Sequence, residues 1–276
     1  MSETPTRRNL LVTCGTSQIS PLKFKSDGMD EELKSYITDL KSSLQGSLPL
    51  LNDLDQLPVL EKAEHISRVV LKYWDRRHEL KGLSSIFGAE ISTLASMEAK
   101  GDDFYWNPET DHITLIATQS ITGLFAALAV QKIISSGWKV PNDQISIRMV
   151  EDLNENPKDL DQAMYNLAYH IGESLKESSV NDKWENRFIA SGGFKSIMPC
   201  LTLFSFLFGI KLIYTYEFSD VLQALHPRFN HENTEARKFW QKTWQSLTHQ
   251  EWMSTGTSIY LQYILQYRKD HPLAIF

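Results

Sequence analysis

Short apolar runs of strand length alternate along this chain with longer apolar or amphipathic stretches, and polar turns separate the two. Asn9–Thr13, His112–Ala117, Ile145–Met149, Trp184–Ile189 and Leu212–Tyr216 are short and rich in β-branched residues, and they predict strands. Glu31–Leu44, Ser84–Lys100, Leu124–Ile134 and Leu160–Leu175 read as helices, and Glu61–Leu80 spaces its apolar residues at helical intervals with charges between them. From Ser196 to Phe208 the apolar residues are too continuous for a surface helix, so a buried one is predicted. Pro199 suits its first turn and Gly209 its end. The sequence strand, polar turn, helix occurs at Asn9–Gln18, at His112–Ile134 and at Ala190–Phe208. That repetition predicts an α/β fold with a Rossmann-like, open, mostly parallel sheet and helices on both faces. The three turns are expected to converge at the carboxyl ends of the strands, where such sheets bind ligands.

The pattern fades after Glu217, and the patternless Leu225–Glu232 marks a boundary. Residues 1–225 are read as one domain, and 226–276 as a short, mainly helical appendage with Trp240 and Trp244 on one helix face. With 276 residues, 42% of them hydrophobic, the chain can bury a substantial core. Its net charge of -6 argues against long nucleic acid spread over the surface, but leaves room for a small anion in a locally basic pocket. Cys14 and Cys200 supply neither a disulfide framework nor a metal cluster, and the polar opening MSETPTRRN holds no apolar signal segment; a reducing cytoplasm is expected. Ile197–Ile210 spans 14 residues, short of the roughly 20 that cross a bilayer, so no membrane association is expected. The eight histidines form no HExxH and no zinc spacing, and neither metal nor cofactor is expected.

Three turns carry candidate chemistry. Gly192-Gly193-Phe194-Lys195 places two residues without a Cβ, then a lysine, at the start of the apolar helix, which outlines an anion site of N–H groups and an ammonium. It matches neither GxxxxGK[ST] nor GxGxxG. Gly15-Thr16-Ser17-Gln18 leaves the first strand with two hydroxyls, and reads equally as ordinary capping. Thr118–Gly123, with Gln119 and Thr122, could hydrogen-bond a base or phosphate, or cap its helix. Cys14 is read as buried and inert, and Glu90 as readily a solvated helix residue as anything else.

LVTCGTS at Leu11–Ser17, GAEISTL at Gly88–Leu94 and SGGFKSIMPCLTLFSFLFGIKLIYTYE at Ser191–Glu217 together resemble the CRISPR-associated Rossmann-fold (CARF) family. The nearest branch contains the ring nucleases and the sensor halves of related CRISPR ribonucleases, and the likeness covers roughly residues 8–225. What it implies is a homodimer that binds cyclic tetra-adenylate across a two-fold axis, with Ser17 and Lys195 at the positions that matter most for cleavage. Gly192, Gly193 and Phe194 match the backbone turn around the ligand, and Ile189 stands where the branch often has asparagine. After residue 218 the pairs Arg228/His231 and Arg268/His271 lack the spacing of the ribonuclease domain that such sensors often carry. A stand-alone, metal-independent ring nuclease is therefore expected. The alternatives are a non-catalytic sensor that regulates a partner, and an unrelated α/β enzyme that uses nucleotides.

Overall fold

The computed structural model describes residues 7–15, 56–76, 87–151, 153, 160–179, 184–190, 197–215 and 221–226. Among them lie six strands, β1 (Arg7–Thr13), β2 (His112–Thr118), β3 (Ile145–Val150), β4 (Trp184–Ile189), β5 (Lys211–Thr215) and β6 (Leu222–Leu225). Five helices accompany them, α1 (Gln56–Leu71), α2 (Gly88–Lys100), α3 (Ile121–Gly137), α4 (Leu160–Ser179) and α5 (Ile197–Phe208). β1 is buried from Asn9 to its end. Its side chains alternate between two apolar layers, with Leu10 and Val12 in one and Leu11 in the other, as the two-residue period of a strand requires.

The sheet runs β3-β2-β1-β4-β5-β6. β1 pairs in parallel with β2 through Leu10↔Ile113 and Val12↔Leu115, and on its other edge with β4 through Leu11↔Phe188 and Val12↔Ile189. β3 continues the sheet beyond β2, and β5 beyond β4, both in parallel; β6 alone is antiparallel, paired through Ile213↔Ala224. One face is covered by α1, α2 and α3, whose Ile66, Ile91, Leu94, Phe125 and Val130 meet Leu10, Val12 and Leu115. The opposite face is covered by α4 and α5, through Ala163, Leu167, Ile171, Leu201 and Phe204 against Leu11, Phe188 and Leu212. The α/β class and the mostly parallel open sheet are as the alternating pattern predicts.

Boundaries differ where local bonding decides them. α1 starts at Gln56 and ends at Leu71, not at Leu80. Lys72 N–H donates to Val69 O and Tyr73 N–H to Val70 O, three residues back, which tightens the chain out of the α-helix. α3 begins at Ile121, three residues before the apolar run, because Ser120 caps it by accepting from Gly123 N–H at 3.0 Å. β6 was not predicted at all. The predicted helix Glu31–Leu44 and the appendage lie outside the described residues. No helix among the described residues is long and apolar enough to cross a membrane.

A polar rung crosses the α4 face of the sheet near its amino end. Ser146 of β3 donates to Thr114 Oγ1 of β2 at 3.2 Å, Thr114 donates to Asn9 Oδ1 of β1 at 3.3 Å, and Asn9 Nδ2 donates to Asn186 Oδ1 of β4 at 3.0 Å. Ser178 of α4 also donates to Asn186 Oδ1, at 2.9 Å. Asn9 and Thr114 are buried, so each group exchanges water for a partner within the protein.

On the other face an aromatic corner closes the end of α3. Trp74 meets Trp138 edge-on with ring centroids 4.6 Å apart, and Trp106 meets Trp138 at 5.1 Å. Gly137 lies under this corner, where a Cβ would stand 2.5 Å from Trp74 Cζ2. Glycine to alanine inside a helix ordinarily gains about 1 kcal/mol. Here the sign is expected to reverse. Gly137→Ala should lose about 1–3 kcal/mol by overpacking, read from urea unfolding followed by tryptophan fluorescence.

Candidate functional site

Parallel pairing brings the carboxyl ends of β2, β1 and β4 side by side. After β1 the chain builds outward through β2 and β3, then returns to the other edge of β1 with β4. The order reverses between β1 and β4, and open α/β sheets bind ligands in the crevice outside such a reversal. Of the three turns singled out in the sequence, one leaves each of these strand ends.

The exits are held by bonds between neighbours. Cys14 N–H donates to Ile116 O of β2 at 2.7 Å, and Thr13 Oγ1 donates to Ile189 O of β4 at 3.4 Å. Gly15 N–H donates to Glu90 Oε1 at 2.6 Å, across 75 positions of sequence. Ala190 N–H donates to Ile213 O at 2.9 Å, so the chain leaving β4 is pinned to β5. Ile189, the departure from the branch pattern, is fully buried in the core layer of Leu10 and Val12.

Glu90 is fully buried, which excludes the solvated one of the readings left open for it. It occupies the first turn of α2, where the helix dipole favours an anion, between the buried residues Phe87 and Ile91. Thr93, one turn further along α2, is equally buried and shares a 3.0 Å hydrogen bond with Thr215 at the end of β5. Neither residue was singled out as functional. The available signal was a single carboxylate in a run, Phe87–Met97, with no other charge.

At the β2 exit, Gln119 N–H donates to Val150 O at 2.8 Å, while its Oε1 is buried with no hydrogen-bond partner among the described residues. The Ser120 hydroxyl is 2.8 Å from Thr118 Oγ1 and 3.1 Å from Thr122 Oγ1. Thr122 thus lies in the first turn of α3, within the helix and not in a free turn. Gly123 is required there, because a Cβ would lie 2.1 Å from Thr118 O. The capping function weighed for this turn is therefore present.

Of the sequence candidates, Gly15, Gln119 and Thr122 fall among the described residues, at the ends of adjacent strands. Thr16, Ser17, Gln18, Gly192, Gly193, Phe194 and Lys195 lie outside them. Their described flanks are Gly15 after β1, Ala190 after β4, and Ile197 at the start of α5.

Cys14 is buried beside this arrangement. Burial, and then the charge of Glu90, push its thiol well above its ordinary value, so it is held protonated and is no nucleophile. Burial also pushes the Cys200 thiol up to about 12.

The model of the family described as CRISPR-associated protein (Cas_APE2256) matches residues 85–224, just over half of the chain. The chain belongs to this CRISPR-associated family. The match supports the broader CARF resemblance without selecting a branch within it. It runs from the threshold of α2 into β6, and so includes Glu90, Gln119, Thr122 and the Gly192–Lys195 motif. β1 and its Gly15–Gln18 exit precede the matched span. No curated protein matches the chain.

The raised thiols give a pH dependence with a definite sign. A folded-state pKa above the unfolded value leaves the folded chain holding more protons at alkaline pH, so stability is lost as pH rises beyond about 9. Urea midpoints measured from about pH 8 to 10.5 should fall, and Cys14→Ala should fall less steeply than the unsubstituted protein. Equal slopes would contradict the assignment.

Proposed function

We propose that this CRISPR-associated protein is a ring nuclease of type III systems, which binds cyclic tetra-adenylate and opens it without a metal ion. The observation that carries this reading is the family match across Gly192–Lys195, taken with a strand order that sets the carboxyl ends of β1 and β4 side by side at the reversal of the sheet. A phosphate-rich ring suits such a crevice better than a long polymer does, given the net charge of -6. The protein acts as a homodimer, with the ring shared between two copies of the crevice about a two-fold axis. Gly15, Thr16, Gln18, Gln119, Thr122, Gly192, Gly193 and Phe194 line the ligand.

In the proposed reaction the ribose 2′-hydroxyl attacks the neighbouring phosphorus as the P–O5′ bond breaks. The hydroxyl proton is lost and the leaving 5′ oxygen gains one. The product ends are a 2′,3′-cyclic phosphate and a 5′-hydroxyl, and no water is consumed. Lys195 stabilises charge developing on the phosphoryl oxygens, helped by peptide N–H groups at the start of α5. Ser17 orients the 2′-hydroxyl or the phosphate. Alignment of the hydroxyl in line with the leaving oxygen supplies much of the acceleration, because it replaces a search over ribose conformers by one geometry. Two such cuts release linear di-adenylate and end the signal.

The test is incubation with cyclic tetra-adenylate in a chelator, with products resolved by chromatography. Linear di-adenylate with cyclic phosphate ends is expected. Lys195→Ala should lower the single-turnover rate by roughly 100- to 1,000-fold. An unsubstituted protein that binds the ring and leaves it intact would make the chain a sensor; a preference for mononucleotides would remove it from both readings.

A further inference from the structure

The carboxylate of Glu90 has no part in the reaction written above, yet it is fully buried at the mouth of the β1 exit and accepts from Gly15 N–H at 2.6 Å. That is short for a bond from a peptide donor, as charge assistance makes it. Burying a carboxylate is costly unless its partners are fixed, so a bond of this kind restrains both ends. The donor end immediately precedes Thr16-Ser17-Gln18 in the sequence. The acceptor end stands on a rigid platform, because Ile91, Leu94, Ala95 and Met97 of α2 are all buried in the core.

The same helix touches the sheet at a second point. Thr93 follows Glu90 by three positions, on the same side of the helix, and meets Thr215 at the end of β5. β1 and β5 are the two neighbours of β4. One turn of α2 therefore grips the strand end on either side of the one that leads to Gly192–Lys195.

We infer that Glu90 is a positioning residue of the site: its hydrogen bond to Gly15 sets the direction in which the chain leaves β1, and so where the Gly15 peptide is presented relative to the β4 exit. This rests on the ring-opening reading for its kinetic readout and on the Glu90–Gly15 bond alone for its structural one. The glutamate acts through the peptide of Gly15 and touches no substrate.

Both readouts are needed in one experiment. Glu90→Ala and Glu90→Gln are compared with Glu98→Gln, which alters another carboxylate of α2, one that accepts from Trp138 Nε1 at 2.8 Å. Cyclic tetra-adenylate binding and single-turnover opening are measured on each full-length protein, along with hydrogen exchange of the peptides covering β1 and β2. Glu90→Ala should open the ring roughly 100-fold more slowly, with affinity changed far less, and should lose exchange protection in the β1 peptide while β2 keeps its own. Glu90→Gln retains an acceptor oxygen and should recover part of the rate; Glu98→Gln should match the unsubstituted protein. If Glu90→Ala unfolds, the Gln variant decides, and full activity with full β1 protection overturns the proposal. Ring opening by Glu90→Ala within about threefold of the unsubstituted rate overturns it as well. If the unsubstituted protein neither binds nor opens the ring, the nuclease reading falls while exchange still decides on Glu90: unchanged β1 protection refutes the restraint, and its loss upholds it.

Discussion

Burial of β1 on both faces is the constraint from which the rest of this molecule follows. A strand covered by helices on each side has no solvent for its peptide groups, so both of its edges must be paired, and β2 and β4 satisfy them. Because those neighbours are parallel, each must be reached by a crossover that returns the chain to the same end of the sheet. The crossovers supply the covering helices, and every return delivers a turn to the same end. A shared crevice at the carboxyl ends is thus a by-product of completing the hydrogen bonds of one central strand.

Most of this architecture is legible in the sequence because it follows from local period. The buried strands are near-continuous apolar runs, and α5 and α3 are apolar over helical lengths; both patterns predict layers on either side of a sheet. Helix limits were less legible, since they depend on single bonds. Ser120 begins α3 ahead of its apolar run, and the bonds from Lys72 and Tyr73 end α1 before its amphipathic pattern stops. β6 is not legible because four residues are too few to establish a period, and its antiparallel partners lie from 7 (Thr215↔Leu222) to 13 (Leu212↔Leu225) positions back in the chain.

The candidate site divides along a similar line. The ends of β1, β2 and β4 could be located from the glycine and hydroxyl residues that follow them in the sequence. Their mutual adjacency depends on strand order, which no local pattern records. Glu90 shows the deeper limit: a helical glutamate is ordinarily solvated, and its bond to Gly15, 75 positions away, leaves no trace in any local pattern. Thr122 shows the converse, a hydroxyl for which both ligand contact and capping were open and which stands 3.1 Å from the Ser120 cap of its own helix.

The polar rung from Ser146 to Asn186 has a consequence at the far end of the sheet. An apolar strand between apolar layers would tolerate sliding along its neighbours, whereas Asn9 and Asn186 face each other only in the observed alignment. A slip of one residue would turn Asn186 into the opposite layer and carry the end of β4 about 3.3 Å along the sheet. That displacement would misalign any site built between the two strand ends. The amino-end amides therefore act as a gauge for the carboxyl-end crevice: they meter the offset between two chain exits that they never touch.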